Sequence, residues 1–139
     1  MDVNFSNQNI FETLRACDIS PGNCLIDEWV RKNSKNEYDK DGLIASAGKT
    51  DELILNQALE NFSIDPPYDE SLDIKDFDIS FAKGLNLENG ASTLTDFTAI
   101  QISKALIYFD DLAKSSIWLV CGGGRKNKRL IESIINENK

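Results

Sequence analysis

Asp18 is the residue best placed to carry chemistry, because a predicted strand ends at it and a turn and a helix start follow. Residues 19–23 would leave free backbone N–H groups at a helix N-terminus, and such groups suit a phosphate. Asp18 could therefore act as a base, or as a magnesium ligand, beside that phosphate. The alternative is structural, with Asp18 only ending the strand or bonding the turn, and the sequence alone favours it.

A second turn of interest is C-G-G-G at residues 121–124, between an apolar run and a predicted helix. Glycine allows the backbone to approach a ligand closely. The pattern is neither a Walker loop nor G-x-G-x-x-G, so a simple strand-to-helix turn and a nucleotide site both stay open. Cys121 has no base partner in a chain without histidine, and we expect no nucleophilic role for it.

Composition and charge exclude several classes of protein. The 139 residues carry a formal charge of −8 and no histidine, with a pI near 4.5. We therefore expect no nucleic acid, no membrane surface, no zinc site and no histidine catalysis. The three cysteines have no metal-ligand spacing and indicate reduced, mostly buried thiols of a cytoplasmic protein. The basic residues between 125 and 129 indicate a solvated helix start.

The spacing of apolar and turn residues predicts one α/β or α+β domain over residues 1–139. A hairpin is expected at residues 3–18, and residues 117–121 read as a buried parallel strand. Residues 77–81 fit either a strand or a short helix. Helices are predicted to start at Ser20–Pro21, at Thr50, at a capping box on Thr93 and after the glycine turn. An exposed acidic loop is expected at residues 63–76.

Four segments together resemble the anhydro-N-acetylmuramic acid kinase family. Residues 18–27, D-I-S-P-G-N-C-L-I-D, are similar to its D-T-G-P-G-N-x-L-I-D. Residues 38–42 and 47–49 resemble its Y-D-x-D-G and small-residue-G-K signatures. Residues 87–99 are similar to L-E-D-G-A-A-T-L-T-x-F-T-A, and residues 121–130 to C-G-G-G-x-x-N-x-x-L. The four motifs occur in the family's order and cover residues 18–130.

The resemblance implies the C-terminal lobe of an actin-like, hexokinase-like ATPase fold, a mixed sheet with flanking helices. It implies ATP- and magnesium-dependent opening and 6-phosphorylation of 1,6-anhydro-N-acetylmuramic acid in peptidoglycan recycling, with no separate protein metal site. Asp18 would be the base that activates the water molecule that opens the anhydro bridge of the sugar. The phosphate-binding residues would be Ser20, Gly22 and Asn23, and the nucleotide-binding residues Gly122, Gly123, Gly124 and Asn127.

Departures from the family pattern leave two hypotheses. The N-terminal ATPase lobe and the family's last segment have no counterpart here, Ile19 and Ser20 replace Thr and Gly, and Glu70 and Ile74 replace Lys and Arg. In the first hypothesis the chain works only with a separately encoded N-terminal lobe, on the amino sugar and ATP. In the second it is a non-catalytic remnant that binds nucleotide weakly or self-associates as a homodimer. Neither hypothesis includes independent catalysis.

Overall fold

A long helix, α4 (Leu87–Ala113), is the axis against which most other elements pack in the computed structural model, which describes residues 16–69, 77–113 and 117–139. Three helices precede α4: α1 (Cys24–Asn33), α2 (Leu43–Ala47) and α3 (Glu52–Phe62). Helix α5 (Lys128–Glu137) follows it. Short 3-10 turns lie at Lys40–Gly42, Ile79–Ala82 and Gly123–Lys126. The 3-10 turn that contains Gly42 therefore precedes α2, and the one that contains Gly123 and Gly124 precedes α5.

The hydrophobic core is formed by the first half of α4 together with α1, α2, α3 and residues 77–82. Leu25, Leu94 and Phe97 are completely buried there, as the helical spacing of apolar residues in both segments predicts. The Trp29 indole N–H donates a 2.9 Å hydrogen bond to the Leu87 carbonyl oxygen at the start of α4. A Cβ atom on Gly90 would lie 2.6 Å from that indole nitrogen, so only glycine lets the two helices approach this closely.

The predicted mixed sheet is wrong for the residues that the structure describes, because ranges 16–69, 77–113 and 117–139 contain no β-strand. Residues 117–120 form an irregular segment instead of a buried strand, and the Ile117 side chain is 90% exposed. A strand needs a neighbour to pair its backbone groups, and no described segment supplies one. Most of the predicted N-terminal hairpin lies outside the described residues.

Three predicted helix starts are displaced, and in each case a side chain bonds a different backbone group. The Ser20 hydroxyl accepts from Gly22 N–H, so α1 starts at Cys24. Asp51, not Thr50, caps α3 through the Ile54 N–H. Thr93 lies inside α4, where its hydroxyl donates to the Asn89 carbonyl oxygen. For residues 77–81 the short-helix alternative is confirmed, since a 3-10 turn spans Ile79–Ala82.

The thiols are also more exposed than the sequence suggests. Cys17 and Cys121 are exposed and Cys24 is half-buried, and all three are free. Of the helices in the described part of the chain, none combines the length and apolar character needed to cross a membrane.

Candidate functional site

The turn before α1 is held by its own side chains. The Gly22 N–H donates a 3.0 Å hydrogen bond to the Ser20 hydroxyl oxygen. Gly22 has a φ of +57°, a left-handed conformation that glycine adopts without strain. Asp18 is exposed and precedes this turn in an irregular segment. The Ser20 hydroxyl is therefore directed at the backbone of its own turn, and Asn23 lies at the start of the helix.

Asn23 is the residue of this turn with unused hydrogen-bonding capacity. It occupies the N-cap position of α1, but its side chain makes no capping hydrogen bond. Its Oδ1 atom is buried and has no partner among the described residues. A buried polar atom without a partner is unfavourable, by about 1–3 kcal/mol, unless a ligand or water supplies the missing bond. The N-terminus of α1 therefore has an uncapped end beside an unpaired amide oxygen.

The glycine turn approaches Asn23 from the other end of the chain. Gly122 has a φ of +80°, and a Cβ atom on Gly122 or Gly123 would meet no atom within 4 Å. A Cβ atom on Gly124 would lie 3.8 Å from Asn23 Nδ2. The fold thus brings together two turns that are about 100 residues apart in the sequence and leaves open space over the second turn.

Gly22, Asn23 and Gly124 form one end of a cavity of about 1110 Å³ that is partly open to solvent. The cavity lies between the second half of α4, residues 118–121 and α5. Its wall is mainly apolar, with Arg125 and Lys139 as the basic groups of its lining and Asp110, Asp111 and Glu137 as the acidic groups. The apolar lining residues are Ile102, Leu106, Ile107, Trp118, Leu119, Val120, Leu130, Ile131, Ile134 and Ile135.

The structure gathers only some of the predicted site residues at this cavity. Gly22, Asn23 and Gly124 line it, but five other predicted residues do not: Asp18, Ser20, Gly122, Gly123 and Asn127. Arg125, which the sequence suggested was simply solvated, does line it. The apolar wall was missed by sequence reasoning because residues 117–121 were assigned to a buried strand. The exposed side chains of Trp118 and Val120 are what a ligand or another segment would cover.

Asn127 has a structural role at the edge of the site. It is buried, and its Oδ1 atom accepts a 3.0 Å hydrogen bond from the Leu130 N–H, which caps α5. The backbone N–H of Asn127 also donates to the Gly124 carbonyl oxygen, at 3.0 Å. Gly42 packs against this cap, since a Cβ atom on Gly42 would collide with Asn127 Oδ1. The Y-D-x-D-G segment and the glycine turn therefore support each other.

Asp27 in α1 and Asp39 in the segment after it interact electrostatically. Burial raises the pKa of Asp27, Arg31 opposes that rise, and the negative charge of Asp39 adds to it. Asp39 is buried, and its two carboxylate oxygens accept hydrogen bonds from Ile44 N–H at 2.8 Å and Ala45 N–H at 3.0 Å. Within the described ranges, no cluster of three acidic, cysteine or histidine side chains could hold a metal ion.

Comparison with known proteins agrees with the motifs. Residues 4–138 match the family profile for anhydro-N-acetylmuramic acid kinase. A protein of that name from Pelagibacter ubique is 51% identical over 126 residues, which cover 88% of this chain and 34% of the relative. The protein of the same name from Zymomonas mobilis is 38% identical over 123 residues, or 87% of this chain and 33% of the relative.

The chain belongs to the anhydro-N-acetylmuramic acid kinase family, because the family match extends over nearly all of it. It spans about a third of the length of the curated relatives that it matches. A third such relative, from Rhizorhabdus wittichii, is 39% identical over 91% of this chain and 34% of its own length.

Proposed function

We propose that this chain supplies the nucleotide-binding part of an ATP-dependent anhydro-N-acetylmuramic acid kinase, a phosphotransferase of peptidoglycan recycling. The observation that supports it best is the approach of Asn23 and Gly124 at one end of the same cavity. The family membership supports the choice of reaction, and the cavity supports the binding of one of its substrates. ATP and a recycled amino sugar are cytoplasmic metabolites, so the cytoplasm is the compartment that we propose.

The cavity has the chemical features that a nucleotide needs. Its apolar wall suits a base, and a pocket of this size accommodates a molecule of that class. The uncapped N-terminus of α1 and the Arg125 side chain favour negative charge, so we place the phosphates at this end. The unpaired Asn23 Oδ1 is an acceptor and would receive a hydrogen bond from a ligand hydroxyl, while its Nδ2 donates to a phosphate oxygen.

Asp18 is the base that we propose for the sugar. Its exposed carboxylate precedes the phosphate end of the cavity by four residues and could take a proton from a water molecule. Magnesium would arrive with the nucleotide, since this ion needs only one or two carboxylates besides phosphate oxygens and water. Transfer of the phosphoryl group from ATP to the sugar depends on the positioning of the reactants and on stabilisation of the phosphoryl charge.

We further propose that turnover needs a second portion that corresponds to the rest of the curated relatives. The chain matches only about a third of each of them, and phosphoryl transfer needs groups on both sides of the transferred phosphate. We therefore expect nucleotide binding by this chain alone but phosphorylation of the anhydro sugar only when the second portion is added. If the pure chain phosphorylates the anhydro sugar and Asp18→Asn abolishes that turnover, this expectation is contradicted.

Calorimetry with ATP and magnesium tests the binding proposal. Asn23→Ala removes the unpaired amide and should weaken binding about tenfold, a change of about 1.4 kcal/mol. Asn61→Ala is the matched control, because its side chain bonds the Gln57 carbonyl oxygen on α3 and does not line the cavity. Binding that is absent in the unmodified chain, or that Asn61→Ala weakens as much as Asn23→Ala, would refute the assignment of this cavity.

A further inference from the structure

Asp96 is the centre of a polar cluster where α4 meets α5. Its Oδ1 atom lies 3.0 Å from Arg129 Nη2 and accepts a 2.8 Å hydrogen bond from the Ser133 hydroxyl. Its Oδ2 atom lies 3.1 Å from Arg129 Nη2 and also accepts from the Thr50 hydroxyl. The carboxylate on α4 is thus bonded to two residues of α5 and to the segment that leads into α3.

The contact with Arg129 continues to the glycine turn. Arg129 is the second residue of α5, and the turn before it is closed by the Asn127 cap on Leu130 N–H. Asn127 N–H bonds the Gly124 carbonyl oxygen, and Gly124 is the residue that approaches Asn23. Asp96 is therefore connected to the phosphate end of the cavity through its ion pair with Arg129, the first turn of α5, the Asn127 hydrogen bonds and the close approach of Gly124 to Asn23.

The other side of the cluster holds the segment before α3. Besides Asp96, the Thr50 hydroxyl lies 2.9 Å from the Ser92 hydroxyl. The Lys49 N–H donates to Asn89 Oδ1 at 2.9 Å. Asp96 thus links Thr50, which directly follows residues 47–49, to Arg129 within residues 121–130.

We propose that Asp96 is a positioning residue for the glycine turn, which it holds in place through Arg129. The inference rests on the proposed function for its consequence in nucleotide affinity, but not for its structural part. Asp96 and Arg129 stand at positions that the family patterns quoted above leave open, so the resemblance assigns neither of them a role.

The geometry explains why a neutral side chain in place of Asp96 would not hold Arg129 in the same way. The carboxylate accepts from donors on three sides and has no proton to offer, whereas an amide at the same place would direct an N–H group at one of them. Charged hydrogen bonds are about twice as strong as neutral ones. The Arg129 and Asp96 side chains are only 24% and 21% exposed, which limits screening by solvent.

Amide hydrogen exchange tests the structural part. In Asp96→Asn we expect the amides of Asn127, Leu130 and Ile131 to exchange about tenfold faster, which corresponds to the loss of one charged hydrogen bond. The amides of Trp29 and Val30 in α1 should keep their rates. Exchange that rises equally in both groups would mean general destabilisation and would overturn the proposal, as would no change at all.

ATP titration of the same variants tests the functional part. We expect Asp96→Asn to weaken ATP binding about tenfold, and Arg129→Gln to act in the same direction while Ser133 and Thr50 still satisfy the carboxylate. If Asp96→Asn does not fold, Arg129→Gln decides both measurements. Faster exchange with unchanged affinity would overturn the positioning role.

Asp65→Asn is the control for removing a carboxylate that pairs with α4, because Asp65 lies 4.0 Å from Lys104 in an exposed pair far along that helix. We expect this variant to change neither the exchange rates nor the affinity. If the unmodified chain binds no ATP, the proposed function fails, while the exchange rates of Asp96→Asn still decide whether Asp96 holds the turn.

Discussion

Replacing Gly42 by alanine should be far more harmful than replacing Gly22, although both glycines have positive φ values, +74° and +57°. The left-handed conformation costs alanine about 1–2 kcal/mol at either position. At Gly22 the added methyl group meets nothing within 4 Å. At Gly42 it would lie 2.7 Å from Arg129 Cβ and 2.9 Å from the Arg129 backbone nitrogen, and would collide with Asn127 Oδ1.

The additional loss of stability in Gly42→Ala comes from the atoms of Asn127 and Arg129 that the methyl group would displace. Overpacking of this kind costs about 1–3 kcal/mol, and displacement of the Asn127 cap about 1 kcal/mol more. We therefore expect Gly22→Ala to lose about 1 kcal/mol of unfolding free energy and Gly42→Ala about 3 kcal/mol.

Urea denaturation followed by far-ultraviolet circular dichroism measures the difference between the two variants. With a slope of about 2 kcal/mol/M, a difference of about 2 kcal/mol separates the midpoints by about 1 M. Equal midpoints for the two variants would refute the contact between the Gly42 turn and the start of α5.

Three further substitutions test individual polar side chains. Tyr68→Phe should raise the unfolding free energy by about 1 kcal/mol, because the Tyr68 hydroxyl is buried without a partner in the described residues; Tyr108→Phe is the control and should change little. Asp27→Asn should stabilise the chain at neutral pH and lose that effect near pH 3, because the raised pKa makes the folded state bind more protons and lose stability as pH rises. Asp78→Asn should do the opposite, since hydrogen bonds lower the pKa of Asp78 and its contribution is lost as pH falls; thermal melts at both pH values decide.

Sequence periodicity predicted the helices better than their ends. The predicted apolar faces of α1, α3 and the first half of α4 pack into the core. On α5 only Leu130 of the predicted face is buried, and Ile135 is exposed. Their starts depend on which backbone group a single hydroxyl or carboxylate bonds, and Thr93 illustrates this by bonding back inside α4. A capping-box pattern has the same letters in either situation.

The strand at residues 117–121 was wrong for a different reason. A short apolar run fits a buried strand or any covered segment, and its state depends on a partner that local sequence does not specify. The motifs did locate Asn23 and Gly124, but not their proximity, because that contact joins residues about 100 positions apart. The Asp96 cluster was missed because Asp96 and Arg129 stand at open positions of the motifs, while Thr50 and Ser133 lie outside them.

The two tryptophans occupy different surroundings, so the chain carries two separate optical reporters. Trp29 is 4% exposed and hydrogen-bonded at the junction of α1 and α4, so its fluorescence follows the integrity of the core. Trp118 is 45% exposed and lines the cavity, so its emission responds to whatever enters there. In Trp118→Phe the remaining fluorescence of Trp29 reports on folding alone. In Trp29→Phe the remaining fluorescence of Trp118 reports on occupancy of the cavity alone.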